Sequence, residues 1–238
     1  MKKTTDTTNT TSTTRAKIAV RSAVSATPRR KPKQPRSIAT FNAILEAAAT
    51  LFATHGYEPT TTHQMAKAAG VSVGALYRYF DGKEAILREV YREETKSLRH
   101  RILASFTIAE LVGQDLPALV HKAMTHAFQI YAERPGLRRV LVEQARKIPE
   151  FAEIRKDQER EVHDAVRAIF NAAPGVQIPD IEIGAYLIVL FMEALIDDHT
   201  LYRTPTFDPT RVINGATDFI LRYALGSAAP ANREAPKY

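Results

Sequence analysis

The chain has 238 residues, 45% of them hydrophobic, a formal net charge of +7 and no cysteine. That size suits one large or two small globular domains with a real core, and the lack of cysteine excludes disulfides and thiolate metal sites while agreeing with a reducing cytoplasm. The longest apolar run, residues 183–192, is ten residues, where a bilayer needs roughly twenty, so no membrane partner is expected.

In chain order, residues 1–36 come first. They hold ten Lys or Arg against Asp6 alone, a balance of +9; the remainder, 23 basic against 25 acidic, is −2. Such a segment cannot bury enough apolar surface to offset ordering. It reads as a disordered basic arm that lies on phosphates or in a minor groove; the alternatives are a solvated leader with little role or an organellar transit peptide. No secretory apolar region is seen, since Arg21 interrupts 18–24. Residues 37–55 form the first strong helix, with Phe41, Ile44, Leu45, Ala48, Leu51 and Phe52 at three- and four-residue steps.

Residues 61–83 read as two short helices, a tight turn between them, and the start of a third. Thr61 and Gln64 make a capping box. Gly70 supplies the left-handed stop after the first helix, and Ser72 caps the second, expected over 73–80. Asp81 and Glu84 make another box that opens a longer helix. A short helix, a glycine turn and a second short helix match the helix-turn-helix, whose second helix enters the major groove. Leu76 and Phe80 face inward together. At the front of that helix, Val73, Gly74, Ala75 and Arg78 are placed to read base edges: Arg78 forks to guanine, and Val73 and Ala75 suit a thymine methyl. Thr61, Thr62, Ser72, Tyr77, Tyr79 and Lys83 form the phosphate set. For Tyr79 the competing role is an aromatic at the core edge; for Lys83, an ordinary solvated cation.

At these residues the chain resembles the TetR family of bacterial one-component regulators, from about Ile44 to Leu87. The resemblance is carried by Ala47, Ala48, Phe52, Gly56, Tyr57, Thr61, Met65, Ala66, Ala69, Gly70, Val71, Ser72, Gly74, Leu76, Tyr77, Phe80, Lys83 and Leu87. Many relatives carry a basic residue near Phe41; here the basic groups lie upstream. The resemblance implies a bacterial regulator working on the nucleoid in the cytoplasm. It also implies a small-molecule pocket in a second helical domain, and a dimer built by the final two helices.

Residues 81–105 form a long connector, with Ile86, Leu87, Val90 and Tyr91 on its inner face. Helices follow over 116–133, 137–147, 149–173, 180–201 and 208–225, punctuated by Arg134-Pro135-Gly136 and Pro174-Gly175 and opened at the last two by Asp180 and Asp208. Helix 180–201 is apolar nearly all round, so it either runs through the domain or lies against a second copy. The expected architecture is all-α: a basic arm (1–36), a three-helix DNA-binding domain (37–82), a helical effector-binding and dimerisation domain (83–225) and a loose tail (226–238). DNA half-sites one helical turn apart, or a multiple of it, would be read by a C2 pair on a palindromic operator.

For the effector pocket the aromatic candidates are Phe106, Phe128, Tyr131, Phe170 and Tyr186, each also readable as plain core. They suggest a hydrophobic or aromatic small molecule. Glu193 interrupts an apolar helix, and a buried carboxylate needs a partner. It is expected to pair with Arg146, Arg222 or a partner chain; the alternative is a cationic ligand. No cofactor, metal or catalytic residue is expected. Asp197-Asp198-His199 point different ways on a helix, His121 and His126 are five apart, and there is neither a phosphate loop nor an HExxH. A repressor released by its effector is the favoured function. The rival is a helical ligand-binding protein or metal-dependent enzyme without DNA binding.

Overall fold

In a computed structural model the described residues are 32–104, 115–202 and 207–226. Among them every regular element is a helix: α1 (Pro35–His55), α2 (Thr62–Ala68), α3 (Val73–Tyr77), α4 (Lys83–Ala104), α5 (Leu116–Tyr131), α6 (Pro135–Ala145), α7 (Glu150–Ala172), α8 (Ile181–Leu201) and α9 (Pro209–Leu225). Nearly all of the basic arm, the candidate Phe106 and nearly all of the tail lie outside the described residues.

The expected caps form. The Thr61 hydroxyl accepts from the Gln64 amide, and the Gln64 side chain accepts from the Thr61 amide. Beyond α2, Gly70 takes φ +67°, the Val71 amide reaches the Ala66 carbonyl and the Gly70 amide the Lys67 carbonyl. That is a Schellman stop, and its positive φ is what calls for glycine. Asp180 and Asp208 cap α8 and α9. Two starts differ from expectation. α4 begins at Lys83, and the Glu84 carboxylate turns to Arg88. α6 begins earlier, with Pro135 in its first turn, where a missing amide is tolerated.

Two apolar cores form. The first joins Ile44, Ala48, Phe52, Met65, Leu76 and Phe80, all essentially inaccessible, with Ile86, Leu87, Val90 and Tyr91 of α4. It continues past residue 82 into Leu137, Val140, Leu141 and Phe151. The second gathers α5, α8 and α9 around Met124, Ile196, Ile220 and Ala224, with Leu98 and Ile102 of α4 against it. One 22-residue helix, ~33 Å long, therefore has one end in each core. By length and composition α1 could also cross a bilayer, but its apolar side chains fill the first core.

A second link joins the halves. A Cβ on Gly136 would lie 2.5 Å from the Ala53 carbonyl oxygen, so the start of α6 rests directly on the α1 backbone. Beside it Arg134 donates to Glu94 of α4 at 2.7 Å and also pairs with Glu46 of α1. Gly136→Ala should therefore push α6 off α1 and lower the unfolding free energy by about 1–3 kcal/mol, as overpacking does. Urea unfolding checks this; an unchanged midpoint would show that α6 is not seated there.

Candidate functional site

The helix-turn-helix surface is built from the inside out. Leu76 and Phe80 are sealed in the first core, with Phe80 stacked on Phe41 at a centroid distance of 4.9 Å. Their burial turns Gly74, Tyr77 and Arg78 to solvent. Val73 and Ala75 are half-buried beside them. The Ser72 hydroxyl accepts from the Ala75 amide at 3.1 Å, closing the first turn. The Tyr77 and Thr62 hydroxyls share a hydrogen bond of 3.1 Å, tying α3 to the start of α2 and bringing two members of the phosphate set together.

α3 is shorter than expected, ending at Tyr77 rather than Phe80. The Arg78 amide bonds to Ala75 and the Tyr79 amide to Leu76, three-residue steps that tighten the last turn and drive Phe80 into the core. Arg78 thus caps the helix instead of sitting inside it.

Tyr79 packs edge-on against Phe41 at 6.0 Å. Lys83 donates to the carbonyls of Tyr57 and Glu58, each at 2.9 Å, and lies over the Tyr57 ring. One of its three protons is left for a phosphate. Burial, then Glu84, pushes the Tyr57 phenol up to about 12, so the ring beneath Lys83 stays neutral. Sequence reasoning missed this lock, since nothing in local spacing links residue 83 to 57.

The larger half holds a cavity of about 410 Å³, open to solvent on one side, between α4, α5, α6, α7 and α8. A second, of about 130 Å³, is walled by Leu119, Val120, Val166, Phe170, Ile188 and Ile220 among others. Ile102, Tyr131, Val162 and Glu193 line both. The expected aromatic cluster does not converge. Tyr131 and Phe170 line the space, but Phe128 is core against the His199 ring, 5.5 Å away. Tyr186 is 48% exposed on the outer face of α8.

Glu193 meets neither of the two arginines expected for it. Among the described residues it has neither a hydrogen bond nor an ion pair: Arg222 pairs with Asp218, and Arg146 stands exposed at the cavity rim. Burial, with Glu159 adding to it, pushes its carboxyl up to about 7. Arg138 is held by Asp197 at 2.5 Å and covers the Tyr131 ring at 3.9 Å. Burial raises the Tyr131 phenol strongly, and the Tyr91 phenol too. Asp197 and His199 are thus engaged in different directions, and no group of three metal-ligating side chains occurs among the described residues.

α8 is buried along one side and open along the other. Ile188 and Ile196 belong to the second core and Ala185 and Val189 are buried, while Ile183, Leu187 and Leu190 are exposed. On α9, Phe219 is 57% exposed and packs on Phe191 at 4.7 Å. An apolar face across two helices is the form of an interaction surface.

Residues 44–90 match the sequence profile of bacterial regulatory proteins of the tetR family, and residues 115–223 match the tetracyclin repressor-like C-terminal domain. The A-factor receptor protein of Streptomyces griseus is 33% identical over 98 residues, 41% of this chain and 32% of that one. The HTH-type transcriptional repressor AcnR of Corynebacterium efficiens is 29% identical over 156 residues, 65% of this chain and 76% of that one. The chain thus spans about a third of the first relative and three quarters of the second. The structure of the fatty acid degradation regulator FadR from Bacillus halodurans superposes with a TM-score of 0.62 at 20% identity, covering 83% of this chain and 98% of that one, which shows the shared fold. The two matched domains together take in most of the chain, on a fold with an outward-facing α3: the chain belongs to the TetR family of DNA-binding transcription regulators.

Proposed function

We propose that the chain is a homodimeric repressor. It reads a two-fold operator with α3 and is released when a small hydrophobic or aromatic molecule fills the cavity of the larger half. The observation that carries this is α3 itself: Leu76 and Phe80 are buried, leaving Gly74, Tyr77 and Arg78 free to meet a groove. The exposed apolar face of α8 and α9 supports pairing through the last two helices. Pairing would hold two α3 helices at a fixed spacing, as half-sites one helical turn apart require. The setting is the bacterial cytoplasm, on the nucleoid.

For release, the ligand must bind the DNA-incompetent arrangement better. About 5.5 kcal/mol of differential affinity moves the population from nearly all competent to nearly none. α4 reaches both the cavity and the first core, so a ligand that displaces it tilts α3.

Selection of bound sequences from a random duplex pool tests the reading. A palindrome with two half-sites is expected. Arg78→Ala should relax one base position per half-site by about 1–3 kcal/mol. Tyr77→Phe should weaken all sequences alike, by about 1 kcal/mol, because the lost hydroxyl steadies α3 and reaches phosphate but reads no base. Affinity should fall linearly in log salt. A chain with no duplex affinity at low salt would be the helical ligand-binding protein or enzyme that the rival reading describes.

A further inference from the structure

Resting on the effector reading above, the geometry points to a ligand class for the two joined chambers. The ligand is a small amphipathic cation, its aryl or short alkyl group in the smaller chamber and its protonated nitrogen at Glu193.

The smaller chamber, about 130 Å³ and walled by aliphatic side chains with Phe170, sets the apolar end. An engineered apolar cavity of about 150 Å³ takes up a benzene, so one ring or a branched alkyl group is the right load. The junction with the larger chamber is made by Ile102, Tyr131, Val162 and Glu193, which line both. Any group tethered by two or three bonds to the apolar end arrives at that junction.

The balance of charges then decides the polar end. Around Glu193 stand Tyr91 of α4, Tyr131 of α5, Arg138 of α6, Arg155 and Glu159 of α7, and Asp197 of α8. Both guanidinium groups are committed elsewhere, Arg138 to Asp197 at 2.5 Å and Arg155 to Glu159 at 3.0 Å. At the mouth Arg99, Arg101 and Arg134 pair with Glu161, Glu133 and Glu94. Among the described residues the one cation lining the larger cavity without a carboxylate is Arg146, exposed at its rim, whereas Glu193, at the junction, is a carboxyl without a cation. At that junction an anionic ligand meets guanidinium groups that are already paired; a cationic one completes the set. Burial and the neighbouring Glu159 and Asp197 raise the carboxyl to about 7, against the pull of Arg138 and Arg155. A bound ammonium ionises it and expels its proton.

The probes are three molecules of one shape: 3-phenylpropylammonium, 3-phenylpropanol and 3-phenylpropanoate, titrated calorimetrically into the full chain. The ammonium is expected to bind about tenfold or more tighter than the alcohol at pH 8, as a charge-assisted hydrogen bond allows, and the carboxylate weakest. Its affinity should drop about tenfold between pH 8 and pH 6, because the ionised fraction of Glu193 falls. In Glu193→Gln the three should come within about twofold of each other, with no pH dependence and the alcohol unchanged. The wild-type pH series stands alone should the variant fold poorly. Tighter binding of the alcohol or carboxylate, a preference that survives in Glu193→Gln, or no binding of the ammonium overturns the inference. Ammonium binding as described without release of DNA upholds this site and removes the effector role from the cavity. Release by an unrelated ligand with no ammonium binding does the reverse.

Discussion

Leu190→Glu should leave the chain monomeric at micromolar concentration and cut operator affinity by about a thousandfold or more. Leu190 is 48% exposed in the single chain, on a face shared with Ile183, Leu187 and, across α9, Phe219. A glutamate there is solvated in the monomer, so the fold keeps its stability. In a two-fold pair the same position occurs twice. Two carboxylates would then be drawn into an apolar contact without partners, at about 3–5 kcal/mol each. A single α3 without its twin loses the second half-site, and with it most of the margin of roughly 10³–10⁷ by which specific complexes exceed non-specific ones. Sedimentation equilibrium and operator titration measure the two effects. A variant that stays dimeric would move the pairing surface off α8 and α9.

Glu193→Gln should make the chain more stable at pH 8 by about 3 kcal/mol and change it little near pH 4. The carboxyl is held at about 7 in the fold against an ordinary value of 4.5. Every tenfold weakening of an acid by its surroundings corresponds to about 1.4 kcal/mol. Between those two values the folded chain keeps a proton that the unfolded chain has released, so stability falls as pH rises through that window and levels off above it. The amide has no charge to desolvate and removes the loss. Urea unfolding of both proteins from pH 4 to pH 8 gives the difference curve. A difference that is flat in pH would mean that the carboxylate has a partner in solution.

What local chemistry dictates was legible from the residues. The Thr61–Gln64 box, the Gly70 stop, and the caps at Ser72, Asp180 and Asp208 need only neighbours a few positions away, and all form. Helical periodicity likewise told which side of α1 is apolar. It could not tell which distant helix would cover that side, and so the seat of Gly136 on Ala53 went unseen. Arg134-Pro135-Gly136 read only as an interruption, although Arg134 bonds both Glu46 and Glu94. The same limit explains the candidate pocket. Phe128, Tyr131, Phe170 and Tyr186 share helical spacing, but a few tens of degrees of rotation about a helix axis decide between core, cavity and surface. Glu193 was legible as an anomaly; that the arginines facing it, Arg138 and Arg155, would already be taken was not.

The double attachment of α1, to α4 on one flank and to α6 on the other, has a mechanical corollary. A headpiece hung from one rod can swivel in any direction. Fastened along two, it keeps one easy rotation, with its axis set by the line between the fastenings. Relative sliding of α4 and α6 then becomes a directed swing of the whole headpiece, and tightening or loosening Arg134 sets how stiff that swing is.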